Sequence, residues 1–175
     1  SRSDYGLISP IIQKIKKDKN IKYFLILTSS HTNKIFGKTV QNIFKDKIKI
    51  YKIIKCNYKN QTSSILKDII SGLDKAINKI KPDIIYLPGD RYEMLSAAYI
   101  ALLRNIPVFH YAGGQITEGV WDNSIRHAIS KMANVHFVST SRCKKRLISM
   151  GEEPKKIYVT GSIGVETITQ QKNLI

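Results

Sequence analysis

Apolar runs of strand length alternate along the chain with stretches in which apolar residues recur every three or four positions. Residues 22–28 (KYFLILT) read as a buried strand. Residues 48–54 (IKIYKII), with apolar and polar positions alternating, read as a half-buried one. Ile65, Ile69, Leu73, Ala76, Ile77 and Ile80 fall at helical spacing and predict an amphipathic helix over 63–80. Further strands are predicted at 83–87, 106–111, 135–139 and 157–160. Further helices are predicted at 7–16, 92–104, 122–133 and 141–150. Asp122 is available to cap the helix of 122–133, and Gly151 closes that of 141–150. Such alternation implies an α/β fold: a Rossmann-like parallel sheet with helices on both faces and right-handed crossovers.

A chain of 175 residues fits one domain. Before the helix of 7–16 stands only SRSDYG, which has the form of a strand-to-helix loop. The strand that feeds this loop is therefore expected upstream of Ser1. Residues 164–175 read as a helix leaving the domain. The expectation is one Rossmann-like domain over 1–175, with its first strand outside the chain.

Composition narrows the function classes. The net charge is +16, but the basic residues are mostly lysines scattered over predicted solvent faces. No arginine-rich run or aromatic-basic stripe suited to stacking bases is present. The charge therefore reads as a solvated surface, with no nucleic-acid and no membrane partner. No apolar run reaches the roughly 18 residues of a membrane span. Cys56 and Cys143 stand apart without a CxxC, which points to a reducing, cytoplasmic setting and no structural metal.

In open parallel sheets, ligands bind beyond the carboxyl ends of the strands. The residues predicted there are Arg2, Asp4 and Tyr5; Ser29, Ser30 and His31; Gly89, Asp90, Arg91 and Glu93; His110, Gly113, Gly114, Gln115, Thr117 and Glu118; and Gly161, Ser162 and Gly164. The helix opened by Asp122 adds Arg126 and His127. Arginine is scarce in this chain, yet Arg2, Arg91 and Arg126 all fall in this set. A guanidinium suits bidentate contact with phosphate or carboxylate, or pairs with a nearby Asp of its own motif. Asp90 reads equally as a proton-transfer group or as a structural cap for the following helix. Asp90→Asn is expected to fold normally, since a strand-end carboxylate in a cleft is not a core residue. His110 ends a strand, where a histidine is commonly a hydrogen-bonded structural residue. The pair Gly113-Gly114 reads as a close backbone approach or a simple turn.

Five segments then carry a resemblance. RSDYG at 2–6 resembles the RADYG loop of hydrolysing UDP-N-acetylglucosamine 2-epimerases, which serve sialic and legionaminic acid synthesis. LTSSHTNKIFGKT at 27–39 resembles their second loop, where a histidine precedes FGxT. GDRYEMLSAA at 89–98 matches GDRxExL. HYAGGQITEGVWDNSIRHAISKMANVHF at 110–137 resembles HxxGGExTEGxxDDSIRHAITKxxxxHF. GSIGVETI at 161–168 resembles a closing G-x-x-G-x-E/D segment. Two departures stand out: Ala112 occupies the position where non-hydrolysing relatives carry glutamate, and the paired DD is Asp122-Asn123.

The resemblance implies the N-terminal half of a GT-B-type two-domain enzyme, with a UDP-sugar in the interdomain cleft. It implies elimination of UDP to a glycal, then water addition giving the free C2-inverted sugar. Asp90, Glu118 and Asp122 are the acid-base candidates, unranked. Arg2, Arg91 and Arg126 are candidates for the diphosphate, and His31, His110 and His127 for sugar hydroxyls. Asp4, Glu93, Gly113 and Gly114 complete the substrate-binding set. No cofactor or metal is implied. The intact enzyme is expected to be a homo-oligomer, and residues 1–175 alone are expected to lack turnover. The rival readings are a non-hydrolysing epimerase, a GT-B glycosyltransferase, a basic nucleic-acid-binding α/β domain and an inactive fragment.

Overall fold

A computed structural model of the chain describes residues 5–28, 40–57, 61–118 and 121–166. It divides into two compact units, Ser1–Lys81 and Pro82–Ile175. The first contains α1 (Tyr5–Ile15), β1 (Leu25–Thr28), α2 (Val40–Lys45), β2 (Ile50–Ile54) and α3 (Thr62–Ile80). Strands β1 and β2 pair in parallel, with Thr28 opposite Ile54. Tyr5, Ile12, Leu25, Leu27, Ile43 and Ile48 form the core between them and the helices.

Both strands start later than the apolar pattern predicts, for local reasons. The Lys49 N–H donates to the Tyr23 phenol oxygen at 3.1 Å. The Ile48 N–H turns back to the Ile43 carbonyl at 3.2 Å, closing α2. Helix α2 itself is an addition to the predicted elements: six residues that bury one side chain, Ile43, show no readable period. Helix α3 follows the predicted stripe, with Ile65, Ile69, Leu73, Ala76 and Ile77 buried. It approaches β2 closely at Gly72, where a Cβ would sit 2.6 Å from the Ile54 side chain. Tyr5, expected in a ligand loop, instead anchors α1. Its hydroxyl donates to Asp46 Oδ2 at 2.5 Å, while Ser9 Oγ donates to the same oxygen at 3.1 Å. Burial, with Asp46 beside it, pushes the Tyr5 phenol up to about 12.

The second unit runs β3 (Ile85–Pro88), α4 (Tyr92–Leu103), β4 (Val108–Tyr111), α5 (Asp122–Met132), β5 (Val135–Val138), α6 (Ser141–Ser149) and β6 (Ile157–Val159). Its four strands are parallel and lie in chain order. Successive right-handed crossovers stepping one way across a sheet fall on one face, and α4 and α5 pack against each other. Leu87, Val108, His110, His136, Val138 and Ile157 are all buried, and they alternate along their strands with an aromatic row. In that row Phe109 meets Phe137 edge-on at 5.9 Å, and Phe137 stacks on Tyr158 at 5.9 Å. Thr140 caps α6 by accepting from the Cys143 N–H at 3.3 Å, and Gly151, at φ 90°, ends it as the sequence predicts. Asp122 is the first residue of α5 rather than its cap. Trp121 holds the cap position, and no side chain bonds there.

Candidate active site

The carboxyl ends of β3 and β4 meet the start of α5 in the second unit. After β3 the chain turns through Gly89, at φ 79°, into Asp90 and then α4. The Gly89 N–H donates to the Tyr111 carbonyl at 3.1 Å. Its carbonyl accepts from His110 Nε2 at 2.9 Å. A carbonyl only accepts, so His110 carries its proton on Nε2 and presents Nδ1 as an acceptor. The Ser130 hydroxyl lies 3.1 Å from Nδ1. His110 and Ser130 are both fully buried. Burial, the largest cause, holds the His110 ring down to about 4, so it is neutral at physiological pH.

This geometry reassigns several expected substrate contacts to scaffolding. With no exposed surface and both ring nitrogens engaged, His110 fixes the Gly89-Asp90 turn to α5 instead of facing solvent. The glycine pair is explained by internal packing. A Cβ at Gly113 would lie 3.0 Å from Ser130 Oγ and 3.2 Å from His110 Nδ1. One at Gly114, at φ +71°, would lie 2.4 Å from the Cys143 carbonyl oxygen. Arg146, a residue given no role by the sequence reading, donates to the Gly114 carbonyl and holds the loop from α6. Glu93 is buried in the first turn of α4 and accepts from Arg91 Nε at 3.2 Å, so this arginine pairs within its own motif, with a glutamate rather than the expected aspartate. The Arg91 guanidinium also lies over the Tyr92 ring at 5.6 Å.

Arg126 is the hub. Its side chain is 2% exposed, and its Nη2 forms an ion pair with Asp90 Oδ2. Nη1 donates to the Gln115 carbonyl at 2.9 Å and to Asn123 Oδ1 at 3.1 Å, and Nη2 donates to Thr117 Oγ1 at 3.3 Å. Asp90 is thus neither a helix cap nor a lone carboxylate; it is the counter-charge of a buried guanidinium. Glu118 and Asp122 are exposed, and neither accepts a bond from Arg126. His127, half-buried, is held below its ordinary value by burial first and by Arg126 and Arg146 next. Arg2, Asp4 and His31 lie outside the described residues.

Two contributors, Ser130 and Arg146, escaped the sequence reading, and a third, Gln115, was placed at the strand ends by it without a role. Ser130 lies one turn beyond Arg126 on the same face of α5, and that i, i+4 spacing was its only signal. Arg146 is one of the few arginines of the chain. Gln115 stands where the quoted motif has the glutamate of GGE, and its Nε2 donates to Ser139 Oγ at 3.0 Å. Among the described residues, no group of three or more histidine, cysteine or acidic side chains gathers as a metal cage would require, and no helix is long and apolar enough to cross a membrane.

Comparison with known proteins identifies the family. Residues 13–175 match the family model described as UDP-N-acetylglucosamine 2-epimerase. The chain is 38% identical, over its full length, to a Campylobacter jejuni protein named GDP/UDP-N,N'-diacetylbacillosamine 2-epimerase (hydrolyzing), covering 46% of it. It is also 38% identical, over 98% of its length, to a Legionella pneumophila protein named UDP-N,N'-diacetylbacillosamine 2-epimerase (hydrolyzing), again covering 46%. The chain thus spans about half the length of the curated relatives it matches. The fold superposes on the crystal structure of the Neisseria meningitidis UDP-GlcNAc 2-epimerase bound to UDP-GlcNAc with a TM-score of 0.86 at 23% identity, over 100% of this chain and 49% of that one. On the family match and the identity to both bacterial relatives, the chain belongs to the UDP-N-acetylglucosamine 2-epimerase family.

Proposed function

We propose that the chain is the N-terminal Rossmann-like domain of a cytoplasmic hydrolysing UDP-sugar 2-epimerase, which converts a UDP-2-acetamido sugar to UDP and the free C2-inverted sugar. The observation that carries this reading is the ion pair of Asp90, from the GDRYE segment, with the buried Arg126 of SIRHAISK. It sets a carboxylate at the carboxyl end of a parallel sheet, where ligands of such folds bind. Both relatives at 38% identity are named as hydrolysing enzymes. Ala112, buried at the end of β4, offers no carboxylate at the position that separates the non-hydrolysing relatives.

The chemistry needs a base to remove the C2 proton as the C1–oxygen bond breaks and UDP leaves with the electron pair. The glycal then gains hydroxide at C1 and a proton at C2 on the opposite face. Asp90 fits a proton-transfer role: Arg126 fixes one of its oxygens, and the side chain remains 24% exposed. Glu118 and Asp122, exposed beside the same loop, are candidates for the complementary transfer. Arg91, 41% exposed and anchored by Glu93, is the described arginine best placed to meet a diphosphate. Arg2, Asp4 and His31 are proposed as further substrate-binding residues, the second domain to complete the cleft, and the intact enzyme to be a homo-oligomer. The test is product analysis by NMR on the full-length protein, supplied with UDP-N-acetylglucosamine and UDP-N,N'-diacetylbacillosamine. Free 2-acetamido sugar with equimolar UDP is expected. Interconverted UDP-sugars alone, or sugar transfer to an acceptor, would overturn the reading.

A further inference from the structure

Asn123 meets Thr117 with both ends of its side-chain amide. Its Oδ1 accepts from the Thr117 backbone N–H at 3.0 Å, and its Nδ2 donates to the Thr117 backbone oxygen at 2.7 Å. This two-point contact imitates a strand neighbour exchanging both bonds with one residue. Oδ1 also accepts from Arg126 Nη1, and Arg126 continues the grip through the Gln115 carbonyl and Thr117 Oγ1. Asn123 and Arg126 stand three residues apart, on one face of α5. Together they hold the segment 115–118 at both ends of Thr117.

The contact requires an amide. With carboxyl groups ionised, only asparagine or glutamine offers a donor and an acceptor side by side at a planar group. A carboxylate at 123 would still accept from the Thr117 N–H. Its second oxygen, however, would face the Thr117 carbonyl across the 2.7 Å now spanned by the Nδ2 bond, setting two acceptors against each other. It would also divide the charge of Arg126 between two acids, where among the described residues Asp90 now holds it. The quoted family motif has aspartate at this place, where this chain has Asn123.

We propose that Asn123 is a positioning residue whose amide clasps the Thr117 peptide, holding segment 115–118, and with it Glu118, against the first turn of α5 beside the Asp90–Arg126 pair. The kinetic consequence rests on the function proposed above; the clasp does not. The experiment compares wild type, Asn123→Ala and Asn123→Asp in the full-length protein. It reads amide hydrogen exchange at Thr117, and kcat and KM for UDP release from UDP-N-acetylglucosamine. Asn123→Ala removes both bonds and is expected to speed Thr117 exchange about tenfold or more, leaving β4 amides at their wild-type rates. It should lower kcat about tenfold with KM within about threefold, because loosening a reacting group's support by a fraction of an ångström costs turnover before it costs binding. Asn123→Asp should change both readouts in the same direction. Wild-type exchange at Thr117 in Asn123→Ala overturns the clasp. So does an Asn123→Asp protein indistinguishable from wild type. Faster exchange with unchanged kcat overturns the positioning role. If the wild-type protein releases no UDP, the proposed function fails, while exchange at Thr117 still decides the clasp.

Discussion

Arg126, almost wholly buried on α5, is ion-paired with Asp90, 36 residues earlier in the chain and its one charged partner among the described residues. A guanidinium stays charged at any pH a protein survives, so its burial is tolerable only while the counter-charge and the neutral acceptors are in place. Asp90 is therefore structural and, on the function proposed above, chemical as well. Asp90→Asn should lower turnover by about 10²-fold, the scale of a lost proton-transfer group. It should also lower stability by about 2 kcal/mol, below the several kcal/mol of a fully buried broken pair because Asp90 is about a quarter exposed. This replaces the sequence-based expectation that the variant folds normally. Denaturant unfolding of Asp90→Asn, Arg126→Gln and the double variant checks it. The two single losses should sum to more than the double loss. A fully stable Asp90→Asn protein would show that water or the remaining acceptors carry the charge.

The glycine pair gives a sharper contrast between neighbours. Gly114 has φ +71°, and its absent Cβ would penetrate to 2.4 Å from a backbone oxygen of α6, which cannot swing aside. Gly114→Ala combines left-handed strain with a backbone clash and should cost about 3 kcal/mol. Gly113→Ala meets side-chain atoms at 3.0 and 3.2 Å. It should cost about 1 to 2 kcal/mol by prising Ser130 from His110. Melting temperatures of both variants test the order. Gly113→Ala proving the more harmful would mean that the His110–Ser130 contact tolerates no displacement.

Much of the fold was legible because its signals are local. The stripe from Ile65 to Ile77 and the closing Gly151 each announce an element through side chains near in sequence. Strand starts and α2 were not legible, since they depend on bonds such as Lys49 N–H to Tyr23 and on one buried residue, Ile43. The same division runs through the site. Its location at the carboxyl ends of β3 and β4 follows from the βαβ pattern. The partition of those residues into solvent-facing and buried does not, because Asp90 with Arg126 and His110 with Gly89 are contacts between elements. Motif resemblance marks all of these positions alike, and only packing distinguishes His110 as scaffold from Glu118 as exposed carboxylate.

The buried histidines predict the direction of acid sensitivity. His110 titrates ordinarily near 6.5 and is held near 4 in the folded protein, chiefly by burial. Its partner across the β4–β5 pair, His136, is lowered as well, again chiefly by burial, although Glu152 opposes the effect. Below pH 6.5 the unfolded chain binds a proton at His110 that the folded chain refuses until about pH 4. Stability is thus unaffected by this group above its ordinary value and falls as pH drops through that window, by up to about 1.4 kcal/mol per pH unit for each such proton. His136 and His127, lowered in the same direction, should steepen the fall. His110→Gln removes the titration while keeping an N–H able to reach the Gly89 carbonyl. Denaturant unfolding of the protein at several pH values between 4 and 7 should give a slope for this variant lower by about one proton than that of wild type. An identical slope would mean that the acid sensitivity arises elsewhere and that His110 already accepts its proton in the folded state.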